Sequence, residues 1–153
     1  NRTVPDYLHD GVLRTRASVP TISNAMDVGD PSNLERLTAL YPSLDALRAA
    51  IEAVWVDDEA TRARIRTDFA RYGRIWCPHT AVAAEAHARL DASRRARGRW
   101  LLVATAHPAK FRETVAPLIG ESVPMPENLS RLFDRPSSAT EIEPDIEALR
   151  RAL

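Results

Sequence analysis

Lysine is almost absent from this sequence: Lys110 is the only one, set against twenty arginines. We take the imbalance as base-composition bias in the coding sequence, without functional meaning of its own. Cysteine is equally scarce. Cys77 stands alone, so no disulfide can form among these residues, and one thiol suits a reducing compartment, which makes the cytoplasm the expected location. Charge of one sign is not in excess either. Basic and acidic side chains number 21 each, which leaves no overall field to draw in nucleic acid or an anionic membrane. No apolar run approaches the ~20 residues of a membrane span, and no signal peptide opens the chain. The chain starts at "NRTVP" with no initiator methionine, so the expected product is trimmed or partial.

Other absences narrow the chemistry. The four histidines, Cys77 and Asp27 show neither CxxC nor HxxxH spacing, and no metal site is expected. Ser23 does not sit in a GxSxG elbow. "GDPSN" carries a single glycine, too few for a phosphate-cradling loop. Cys77 near His79 or His107 offers a thiol–imidazole pair in principle, but a buried structural cysteine is the simpler reading.

What remains is an ordinary globular composition, 44% apolar and 27% charged, in a chain of one-domain length. The first thirty residues, broken by Pro5, Gly11, Pro20 and Gly29, read as loop with short extended pieces. Ser32 and Glu35 form a capping box for a helix carrying Leu34, Leu37 and Leu40 and ending before Pro42. Ser43 caps a helix with Leu44, Leu47, Ile51 and Val54 on one face, and Val54 to Val56 reads as a short strand. Asp57 or Asp58 starts a third helix that buries Ile65 and Phe69 and stops at Gly73. "RIWC" is extended, Pro78 opens an alanine-rich helix, and "ASRRARGR" is an exposed basic connector.

Trp100 to Ala106 has the length and continuity of a strand buried on both faces. Pro108 opens a helix to about Gly120, which Pro117 should kink or shorten. Short helices fit about Glu127 to Phe133 and Asp145 to Ala152. The pattern predicts an α/β fold, helix-rich with few strands. Its lone buried strand needs neighbours, so residues outside this chain are expected to complete the sheet.

In open α/β sheets ligands sit beyond the carboxyl ends of strands. "VATAHPAKF" places Thr105 and His107 there, at the start of a helix that favours an anion. On geometry alone Thr105 either meets a ligand or merely caps, and His107 either joins it or bonds backbone.

Four strings decide between these. "TVPDYLHDG" (3–11), "TISNAMDVGDPSNLER" (21–36), "YGRIWCPHTAVA" (72–83) and "VATAHPAKF" (103–111) occur in this order, and the sequence resembles threonine synthase of the longer bacterial and fungal type. The resemblance covers most of the chain and weakens after about Gly120. Arg74 departs from an aromatic common in the family, and Cys77 from an acid. The implied fold is that of the second type of pyridoxal-phosphate enzyme, similar to the tryptophan synthase β chain. Residues 1–153 would be the C-terminal part of its cofactor-binding catalytic domain.

The implied reaction converts O-phospho-L-homoserine and water to L-threonine and phosphate with pyridoxal 5'-phosphate, by γ-elimination and β-addition. In the family the lysine that forms the Schiff base precedes the region matched here. Lys110 aligns with the lysine of "HPAKF" and is not that residue. The resemblance therefore assigns no catalytic residue to this chain, and the isolated chain is expected to be inactive without an amino-terminal half.

It assigns Thr105 to the pyridine nitrogen of the cofactor. It offers Ser23, Asn24, Asp27, Asn33 and Arg36 as substrate-binding residues, Arg36 for the phosphate. Two alternatives stay open: a non-catalytic binding or regulatory remnant of the family, and a related phospholyase acting on another phosphorylated amine.

Overall fold

The strongest helix signals are caps, and the chain uses most of them. In the computed structural model, which describes residues 1–133 and 135–153, the regular elements are helical and no strand occurs among the described residues. Asp57 accepts the Ala60 amide at 2.7 Å and starts α4, Asp58–Tyr72. Its acids Asp58 and Glu59 lie at the positive end of the helix dipole. Gly73, at φ 63°, closes α4 in the left-handed conformation that glycine adopts without steric cost. Pro78 opens α5, Pro78–Arg89, where its missing N–H costs no helical bond. The Cys77 sulfur receives the Thr80 amide at 3.4 Å in place of the usual capping oxygen.

These two helices make the principal packing contact of the chain. Ile65 and Ala81 are fully buried, with Thr61, Cys77 and Thr80 nearly so. Burial of an isoleucine side chain is worth about 1.5–3 kcal/mol. Arg64 of α4 reaches Glu85 of α5 at 2.8 Å and Asp68 on its own helix at 3.1 Å. The Trp76 indole N–H donates to the second Asp68 oxygen at 2.8 Å. One arginine and one indole thus satisfy a buried carboxylate and fix the helix pair. α7, Arg112–Ile119, adds Val115 and Ile119 to the core and packs on α4.

The amino-terminal stretch corrects the expectation of loop. Thr3–Asp10 is a helix, α1, with Pro5 in its first turn and Gly11 at φ 80° as its stop. Proline is tolerated there because first-turn amides have no intrahelical acceptor. The flanking proline and glycine, read as breakers, are in fact the start and stop of one short helix. A second correction concerns Ser32. α2, Leu34–Leu40, starts one residue later, at Asn33, with no side-chain cap, and only the Ser32 carbonyl is used, by the Glu35 amide at 3.3 Å. Ser43 caps α3, Leu44–Ala50, as expected, through the Ala46 amide at 3.2 Å. Within the basic connector Asp91 caps a five-residue helix, α6, Ala92–Ala96.

The expected strands at 54–56 and 100–106 are the main departure. Neither stretch is paired, and the second is not buried on both faces: Leu101 is 87% and Val103 65% exposed. A strand needs a ladder, and no described segment offers one. The turn after it is also tighter than expected. Pro108–Phe111 forms a 3-10 turn before α7 begins, and α7 carries Pro117 inside it.

All of the above lies in one compact unit, Asn1–Val123. A second unit, Pro124–Leu153, holds α8, Glu127–Phe133, and α9, Ile146–Ala152, close to the expected ranges. Asp145 caps α9 by accepting the Glu147 and Ala148 amides, each at 2.8 Å.

Candidate functional site

Residues 21–29 are polar and small, and no regular element holds them beyond one 3-10 turn, Asn24–Met26. Their shape comes from side chains. Asp27 receives the Thr21 amide at 2.8 Å, the Thr21 hydroxyl at 2.7 Å and the Asn1 amide at 3.1 Å. The Asp58 carboxylate at the start of α4 receives the Ile22 amide at 3.2 Å. At the far end the Gly29 amide donates to the Ser18 hydroxyl at 3.0 Å, and the Gly29 carbonyl accepts the Arg16 amide at 3.2 Å.

The deepest anchor is His79. It lies in the first turn of α5, buried, and its Nε2 accepts the Ala25 amide at 3.1 Å. Its ring also meets Phe111, centroid to centroid 4.9 Å, tilted by 56°. The imidazole therefore touches both the 21–29 segment and the turn that follows Thr105. Burial depresses its basicity against the opposing pull of the Asp27 charge, which keeps the ring neutral and Nε2 able to accept. With Nε2 as acceptor, the proton belongs on Nδ1. That atom and the Ser23 hydroxyl are buried without a hydrogen-bond partner among the described residues.

The expected site residues fall into three places. Ser23 is buried and Asn24 exposed on the 3-10 turn, beside the engaged Asp27. Asn33 and Arg36 are exposed at the start of α2. Thr105 is exposed on the unpaired stretch before the second 3-10 turn. Thr105 does not cap that turn; His107 does, its Nδ1 accepting the Ala109 amide at 3.1 Å. Lys110 is exposed on the same turn. Among the described residues no group of three histidines, cysteines or acids could hold a metal ion, and no helix is long and apolar enough to cross a membrane.

Sequence reasoning gave His79 little weight. Its signal was its place beside Pro78, at a helix start where a side chain can reach a neighbouring loop. A separate groove lies elsewhere. It spans about 660 Å³ between the end of α3, α5 and Trp100, is lined by Val54, Ala83, Leu90 and Leu102, and contains none of the expected site residues.

Residues 80–153 match the family model "Threonine synthase, C-terminal". The chain is 35% identical to threonine synthase of Escherichia coli (strain K12) and 33% identical to that of Serratia marcescens, aligned over its whole length in both cases. The chain belongs to the threonine synthase family. It spans about 35% of the length of these curated relatives.

Among solved structures, Escherichia coli threonine synthase superposes with a TM-score of 0.72 at 33% identity, over 98% of this chain and 34% of that one. The PLP-bound threonine synthase of Brucella melitensis superposes with a TM-score of 0.75 at 23% identity, over 98% of this chain and 37% of that one. The second likeness is one of fold.

Proposed function

We propose that this chain is the C-terminal portion of a threonine synthase of the second pyridoxal-phosphate fold type. It would supply the face that receives the cofactor ring and the phosphorylated substrate. The observation that carries the reading is the convergence of three threonine-synthase-like strings on one buried ring. "SNAMD" and "HPAKF" both reach His79 of "CPHTA". Two hydroxyls near these strings fit the assignment: Ser23, buried and unpartnered, and Thr105, exposed with no hydrogen bond among the described residues. Both are neutral donors, suited to a ring nitrogen or an oxygen-rich ligand.

Pyridoxal phosphate supplies, when bound, the electron sink for breaking bonds next to the substrate amine. Thr105 is assigned to the pyridine nitrogen. A hydroxyl there donates or accepts without fixing a proton on the ring, as a carboxylate would, and so moderates the sink. Arg36 is exposed and in no ion pair among the described residues, and its planar fork suits a phosphate monoester. Ser23, Asn24 and Asn33 offer neutral hydrogen bonds to the remaining polar groups of O-phospho-L-homoserine. Asp27 is assigned a smaller part than its position suggests, because its carboxylate is engaged in shaping the segment.

The lysine that carries the cofactor and moves protons belongs to polypeptide outside these 153 residues. Leu101 and Val103, exposed on an unpaired run, are suited to cover by that polypeptide. The chain alone then turns over no substrate. The cofactor assignment is tested by Thr105→Val in the chain joined to a threonine synthase amino-terminal portion. The expected result is a shifted cofactor absorption band with turnover reduced about tenfold or more. An unchanged band and unchanged turnover would remove Thr105 from the site.

A further inference from the structure

We propose that His79 is a positioning residue for the substrate segment: its neutral imidazole, seated between the segment and the "HPAKF" turn, fixes the Ala25 amide and with it the orientation of Ser23 and Asn24. The inference rests on the assignment of that segment to substrate binding, and it names a residue outside the assigned site.

The geometry argues for a strut rather than a packing filler. The 3-10 turn Asn24–Met26 has one amide, that of Ala25, directed at a side chain on another element. The bond is part-buried, an amide shielded from water costs stability when it loses its acceptor, and the acceptor it has among the described residues is a ring nitrogen that works in one protonation state. Phe111 packs against the ring at 4.9 Å, and His79 itself belongs to the first turn of α5. The acceptor is therefore fixed to the packed helix pair α4–α5, while the segment it holds has only the one 3-10 turn of its own. Removing the acceptor frees the turn and leaves the helices in place. Ser23 lies two residues before Ala25 and has its hydroxyl buried without a partner. Its direction is set by the same turn, since the Ser23 carbonyl accepts the Met26 amide at 2.8 Å.

A pair of variants separates this role from simple packing. In His79→Gln the amide oxygen reaches the place of Nε2 and can still accept. In His79→Asn it stops near the place of Nδ1 and cannot. Both are uncharged and polar. Two measurements are made on the chain joined to a threonine synthase amino-terminal portion: hydrogen exchange of peptides covering 21–29 and 58–72, and steady-state phosphate release from O-phospho-L-homoserine.

His79→Asn is expected to speed exchange of 21–29 about tenfold without changing 58–72. It should also raise KM about fivefold with a smaller change in kcat, the loss of one neutral hydrogen bond. His79→Gln should restore both to near the parent values. Equal exchange of 21–29 in the two variants would overturn the strut. Faster exchange in His79→Asn with an unchanged KM would overturn its part in positioning substrate. No phosphate release by the parent protein, with the exchange pattern as expected, would instead sink the functional assignment and leave the strut standing.

Discussion

The Thr3 hydroxyl, buried at the start of α1, donates to the Gly29 carbonyl at 3.0 Å. This bond ties the first helix of the chain to the end of the 21–29 segment, across a backbone approach so close that no side chain fits. A Cβ on Gly29 would stand 1.9 Å from the Arg16 carbonyl oxygen. Gly29→Ala is therefore expected to destabilise the protein by about 1–3 kcal/mol, the usual cost of overpacking. Gly98→Ala, where a Cβ meets nothing within 4 Å, should stay within about 0.5 kcal/mol of the parent. Denaturant midpoints for the two variants check the contrast.

The Asp68 carboxylate joins Arg64, and through it Glu85, to the Trp76 indole. Asp68→Ala leaves a part-buried N–H without its acceptor and a half-paired arginine, and should cost about 1–3 kcal/mol. Asp68→Asn keeps an acceptor for Trp76 and should cost less. Thermal unfolding of both variants measures the order. Equal losses would mean the network contributes by shape alone.

His79 gives stability a pH dependence of known sign. The charge that acts on it is Asp27 of the segment it anchors; Asp58 starts α4, and His107 and Lys110 belong to the turn that bears Phe111. Burial outweighs the pull of Asp27, so the folded-state pKa lies below the ordinary 6.5. The unfolded chain then binds more protons than the folded one as pH falls below that value. Stability contributed by neutral His79 is present above pH 6.5 and is lost as the solution is acidified through it. Unfolding free energies measured from about pH 7.5 to about pH 5.5, a window above most carboxylate titrations, should fall toward acid. The fall should be smaller in His79→Gln, which cannot titrate.

Much of the helical frame was legible because caps are local. Ser43, Asp57, Gly73, Pro78 and Gly120 each do what their residue type predicts at that position. α1 was hidden because it is short and bounded by residues that also mark loops. Strand pairing was not legible for a physical reason. A strand's identity depends on its ladder, and the run 100–106 has the composition of a buried strand while the described residues offer it no neighbour. Thr105 and Ser23 stood out through their motifs. His79 did not, because its role depends on a contact 54 positions away in sequence, and one histidine beside a proline carries no trace of that.

The central claim is that this chain supplies the cofactor and substrate face of a threonine synthase whose reactive lysine lies in other polypeptide. The most direct measurement is phosphate release and threonine formation from O-phospho-L-homoserine with pyridoxal phosphate, assayed for this chain alone, for a threonine synthase amino-terminal portion alone, and for the two joined. The account predicts turnover only when they are joined. Turnover by this chain alone, or none by the joined protein, would contradict it.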